Sequence, residues 1–103
     1  MKAIIEGKRY NTETSQQIAS DWNGLSRSDF NYMDETLYRT ENGNWFLHGA
    51  GGANTKYSEA AGNMRSGGES IIPMDEDGAY SWLERTNNTK ALEEYFPDRI
   101  EDA

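Results

Sequence analysis

In the stretch ETLYRTENGNWFLHG, residues 35–49, two runs of aromatic and β-branched side chains flank the pair Asn42-Gly43. That pair supplies the positive φ angles of a type I′ turn at the least steric cost, so the stretch predicts a β-hairpin. Whatever else the chain forms must pack on this hairpin or extend it.

The flanking segments suggest how. MKAIIEGKRY at the N-terminus gives two short extended runs around Glu6-Gly7, the pattern of a second tight hairpin. NTETSQQIASDWNG, residues 11–24, pairs Thr14 with Gln17 at capping-box spacing, sets Ile18 and Trp22 four apart, and ends on Gly24. This predicts a short helix of about ten residues. GLSRSDFNYMD reads as a loop. Between Gly49 and Gly68 six glycines fall among few large apolar side chains, which predicts a long excursion with little regular structure. ESIIPM then returns as a strand closed by Pro73, at the sheet edge or the strand end.

The last third patterns as two helices. Ala79, Trp82 and Leu83 share one face with Asp75 as cap, and Asp77, Ser81 and Glu84 lie opposite. Thr89 caps a second helix that turns Leu92, Tyr95 and Phe96 inward and Lys90, Glu93 and Glu94 outward until Pro97. The expected fold is α+β: a small antiparallel β-sheet, hairpin plus returning strand, with helices packed on one face. A chain of 103 residues is expected to form a single domain over residues 1–103, with a core rich in its twelve aromatic rings.

Chemistry is constrained by what the sequence lacks. Without cysteine there is no disulfide, thiolate nucleophile or Cys-type zinc site. No stretch has the length and apolarity of a membrane span or a signal h-region, so a soluble, cytoplasmic protein is expected. The Asn87-Asn88-Thr89 sequon then carries no consequence. The formal charge is −8, and it is uneven: eight acids face seven bases up to Gly68, but ten face three from Glu69 onward. Such a balance disfavours direct nucleic-acid binding.

Three motifs test negative. HGAGGANTKYS resembles a phosphate loop, yet five residues on from Gly49 stands Asn54, and Lys56 lies between Thr55 and Tyr57. DEDGAY fails as a calcium loop, because the glycine falls fourth from Asp75 and position 12 is Thr86. His48, the single histidine, faces away from Leu47 by strand alternation and would need a partner such as Asp34 or Glu35 to act as a base. No catalytic set, metal site or cofactor is therefore expected.

A binding surface remains. Asp75, Asp77, Glu84, Glu93 and Glu94 present carboxylates at helical spacing, with Tyr80 as an aromatic anchor, and Lys56 in the glycine-rich loop is a further contact residue. Such a surface competes for the basic channel of a nucleic-acid enzyme. The other readings are a solubilising acidic face, a nucleotide or small-ligand site built on the glycine-rich loop, His48 and Lys56, and an accessory phage interaction protein. An exposed sheet edge leaves monomer and dimer both open.

The stretches IIEGKRYNTETSQQIAS, ETLYRTENGNWFLHGAGGANTKYSE, SGGESIIPM and AYSWLE follow one another in an order that resembles small acidic proteins of phages and mobile elements. Some proteins of that setting look like anti-CRISPR inhibitors. The resemblance implies a stoichiometric inhibitor without cofactor, whose partner is a Cas nuclease, such as a Cas9 type, its guide complex, or another host defence enzyme. Acting in the host cytoplasm, it would block DNA binding, assembly or cleavage, in the manner of a DNA mimic.

Overall fold

A computed structural model describes residues 1–103. Its centre is an antiparallel sheet of four strands in the order β3 (Gln16–Trp22), β4 (Met33–Arg39), β5 (Trp45–Gly51) and β8 (Gly68–Met74). β1 (Lys2–Ile5) and β2 (Lys8–Asn11) form a separate hairpin, as do the short strands β6 (Glu59–Ala61) and β7 (Met64–Ser66). Helices α1 (Glu76–Arg85) and α2 (Thr89–Tyr95) follow, and a 3₁₀ turn over Pro97–Arg99 ends the regular structure. The fold is α+β, with eight strands in antiparallel sheets and two helices, as the sequence pattern predicts.

The sheet is covered on both sides. On one side Leu37, Trp45 and Leu47 meet Ala79, Trp82 and Leu83 of α1 and Phe96 at the end of α2. On the other, Phe46 and Ile71 meet Tyr10 of the N-terminal hairpin. Tyr38 stacks on Phe46 at 5.2 Å and Tyr10 meets the same ring edge-on at 5.5 Å. This explains why Trp45, Phe46 and Leu47 are consecutive apolar residues instead of alternating: β5 is a central strand buried on both faces.

The helix expected within residues 11–24 is a strand. Ile18 and Ala19 both reach the helix-side core because the β3–β4 register shifts between Gln17 and Ala19. A bulge of this kind breaks the period-two pattern, and what is left mimics a helical i, i+4 stripe. Trp22, the far end of that supposed stripe, is 61% exposed. Ser, Asp and Asn are weak helix formers, so pairing with β4 prevails.

The Glu6-Gly7 turn is the tight one expected, whereas the β4–β5 turn differs in type. Glu6 and Gly7 both have positive φ, 51° and 80°, which is the type I′ pattern. At the β4–β5 turn only Gly43 does, at 85°. Thr40 and Asn44 close that loop (Thr40 N–H to Asn44 carbonyl, 2.8 Å), leaving Glu41, Asn42 and Gly43 outside it. This is the three-residue hairpin with a left-handed third residue, not the two-residue I′ turn that Asn42-Gly43 suggests. In the glycine-rich excursion β5 runs on to Gly51, β6 and β7 pair, and β8 starts at Gly68, so more of it is regular than its composition implies. Pro73 lies on edge strand β8, where no neighbour misses its absent N–H. Asp75 caps α1 as expected, its carboxylate accepting from Gly78 N–H at 2.7 Å. The N-cap of α2 is Asn88, one residue before Thr89.

Because Asn42 needs no positive φ, Asn42→Ala should cost well under 0.5 kcal/mol, whereas Gly43→Ala should cost about 1 kcal/mol or more. Denaturant titration of the two variants checks this, and a large cost at Asn42 would restore the I′ turn.

Candidate functional site

The sheet face under α1 holds one buried charge. Glu35 sits at the middle of β4, paired with Gly49 across β5, and is only 4% exposed. Its Oε2 accepts from the Tyr57 hydroxyl at 2.6 Å and lies 2.6 Å from Lys56 Nζ, and its Oε1 accepts from Trp82 Nε1 at 3.1 Å. Three segments far apart in the chain thus converge on one carboxylate: β4, the glycine-rich loop and α1.

The glycines of the loop make this possible. A Cβ at Gly49 would lie 2.1 Å from the Tyr57 ring, and one at Gly51 would lie 2.2 Å from Thr55 Oγ1. Bare backbone lets the chain fold back on its own strand, so that Tyr57 lies across Gly49 and its hydroxyl reaches Glu35 on the neighbouring strand. Gly52 N–H donates to Tyr32 carbonyl at 2.9 Å and Asn54 N–H to Phe30 carbonyl at 2.8 Å, tying the loop to the segment before β4. In HGAGGANTKYS the glycines therefore serve close packing, and Lys56 is engaged with Glu35.

The electrostatics follow from this geometry. Burial pushes the Glu35 carboxyl up, but the hydrogen bonds from Lys56, Tyr57 and Trp82 outweigh it and hold the group below the ordinary carboxylate range. Burial and the adjacent Glu35 carboxylate push the Tyr57 phenol up, so it stays a donor. A carboxylate with three donors on it and a lowered pKa accepts protons poorly. Chemically it is a clasp, with Lys56 half exposed at its rim.

The surface residues expected to contact a partner are only partly gathered. Glu84, Glu93 and Tyr80 line one shallow cleft of about 340 Å³ between α1, α2 and the C-terminal turn, together with Arg99 and Glu101. Tyr80 donates to Glu84 at 3.3 Å, and the Arg99 guanidinium lies 4.2 Å over the Tyr80 ring while bonding Asp77 at 3.0 Å. Glu94 points to another cleft, shared with Ile18 and Lys90. Asp75 is occupied as the α1 cap, and Lys56 belongs to the Glu35 clasp. His48 finds neither Asp34 nor Glu35. Its Nε2 lies 3.1 Å from Glu69 of β8, a residue its own strand pattern gives no means of locating. Asp34 instead accepts from the Tyr32 hydroxyl, and that hydrogen bond, with burial, pushes the Tyr32 phenol up.

Because the Glu35 carboxyl titrates lower in the folded than in the unfolded chain, its ionisation stabilises the fold at neutral pH and that contribution fades as pH falls below about 4.5. Glu35→Gln should lower stability at pH 7 by about 1–3 kcal/mol and flatten the acid side of the stability curve, as read by denaturation between neutral and acid pH. Gly49→Ala should cost about 1–3 kcal/mol by overpacking. That cost should shrink in a Tyr57→Ala background, which a double-mutant cycle measures.

Compared with family models, curated proteins and solved structures, the chain matches none.

Proposed function

We propose that the chain is an inhibitory binding protein of the anti-CRISPR kind, which sets the carboxylates of its helical layer into the basic nucleic-acid groove of a Cas nuclease or its guide complex. The observation that carries this reading is the cleft lined by Glu84, Glu93, Glu101 and Tyr80, with Arg99 over the Tyr80 ring, on a helix pair packed on the sheet. Exposed carboxylates lining one cleft beside an aromatic ring offer negative charge to a cationic channel, as a phosphate backbone does. The concentration of acids after Glu69 adds long-range attraction to such a channel and makes the encounter salt-dependent. Glu35, through Trp82, helps hold the helical layer on the sheet behind that face.

Mixed with a Cas9-type guide complex and target DNA, the purified protein should reduce cleavage, and less so as salt is raised. The double reversal Glu84→Lys/Glu93→Lys should weaken inhibition about tenfold or more, while Glu6→Lys, on the N-terminal hairpin, should leave it unchanged. Equal inhibition by all three proteins would reject the acidic face as the contact.

A further inference from the structure

Arg39, the last residue of β4, carries a guanidinium that the protein leaves without an acceptor. Its Nε is buried with no hydrogen-bond partner, and none of the ion pairs of the chain includes it. The group is held instead by rings: its Cζ lies 5.4 Å from the centroid of Trp45 and 5.8 Å from that of Tyr95. Aromatic faces fix a planar cation in place but satisfy none of its five N–H donors. A buried orphan donor is uncommon in folded proteins and calls for an explanation such as an ion.

Arg39 lines a polar hollow of about 450 Å³ with Glu13, Thr14, Ser15, Gln16, Thr40 and Glu41. A second hollow of about 450 Å³ shares Thr14, Ser15, Thr40 and Glu41 and adds Lys8, Arg9 and the side chains of the β4–β5 turn. The two hollows meet at Thr14, Ser15, Thr40 and Glu41, and the one at Arg39 sets a cationic side chain among hydroxyl-bearing residues.

We propose that the hollow at Arg39 is an oxyanion site of the phosphate class, in which the Arg39 guanidinium receives two oxygens of the anion and the hydroxyls of Thr14, Ser15 and Thr40 donate to the others. A guanidinium fork matches two oxygens of a phosphate, and a tetrahedral anion leaves further oxygens for the hydroxyls. Lys8 and Arg9 line the neighbouring hollow. The carboxylates of Glu13 and Glu41 line the same hollow and oppose an anion there. The site lies outside the acidic cleft of α1 and α2 and shares no residue with it.

The Arg39 Nε–H resonance reports on the site directly. Titration of the full chain with inorganic phosphate at constant ionic strength should shift it saturably, along with the amides of Ser15 and Thr40. Arg39→Gln, followed through those amides, should weaken the response at least about tenfold. Glu41→Gln, a surface change that leaves the fold intact, should tighten it about threefold. Acetate and chloride should produce weaker responses. An absence of saturation, equal responses to chloride, or no change in Glu41→Gln and Arg39→Gln would overturn the proposal.

Discussion

One carboxylate couples the layers of this protein. Glu35 is brought out of water onto a face otherwise filled by Leu37, Leu47 and Trp82, where an isolated charge would be costly. It is tolerated because Lys56 supplies the opposite charge and Tyr57 and Trp82 supply donors. Each of those donors belongs to a different part of the fold from Glu35, so satisfying the charge fixes where the glycine-rich loop and α1 sit relative to β4. A purely apolar contact at this position would leave the loop free to slide, since apolar packing has no direction and hydrogen bonds do.

The glycine-rich loop takes its meaning from that same demand. Its composition resembles flexible or phosphate-binding segments, but in the folded chain the missing side chains are filled by Tyr57 and Thr55. Close approach of a ring to the backbone of the preceding strand is what lets a residue eight positions beyond Gly49 reach across to Glu35. The glycines are therefore part of the core architecture as much as Trp45 or Phe46.

Charge is arranged unevenly around this centre. The helical layer is acidic, with Asp77 tied to Arg99 and Glu84, Glu93 and Glu101 left open to solvent. The far end of the sheet, where the N-terminal hairpin meets the β4–β5 turn, carries Lys8, Arg9 and the ring-held Arg39. A chain that is acidic as a whole thus also gathers cationic side chains in one region, interspersed there with Glu13 and Glu41. This distinction is invisible to net charge.

Much of the fold is legible in the sequence, and its failures are instructive. The hairpins at Glu6-Gly7 and around Asn42-Gly43, the strand ESIIPM, and the inward face Ala79, Trp82 and Leu83 all follow from turn chemistry and periodicity, which act over a few residues. β3 escapes, because its bulge turns Ile18 and Ala19 to the same core and erases alternation. The type of the β4–β5 turn escapes too, since hairpin register depends on the partner strand. In the site, the acids of α1 and α2 are legible as an exposed face, whereas the clasp is not. Glu35 lies next to Asp34 in a run that reads as solvated, and only the register Glu35↔Gly49 and the return of Tyr57 show that it is buried. The same holds for His48 and Glu69, and for Arg39 between Trp45 and Tyr95. The sequence by itself determined the local elements and the charge of the helical layer, because backbone preference and amphipathic spacing are short-range. Which groups meet across 21 to 56 residues of chain was decided by the tertiary structure, because burial and hydrogen bonding between distant segments exist only once the sheet has closed on its helices.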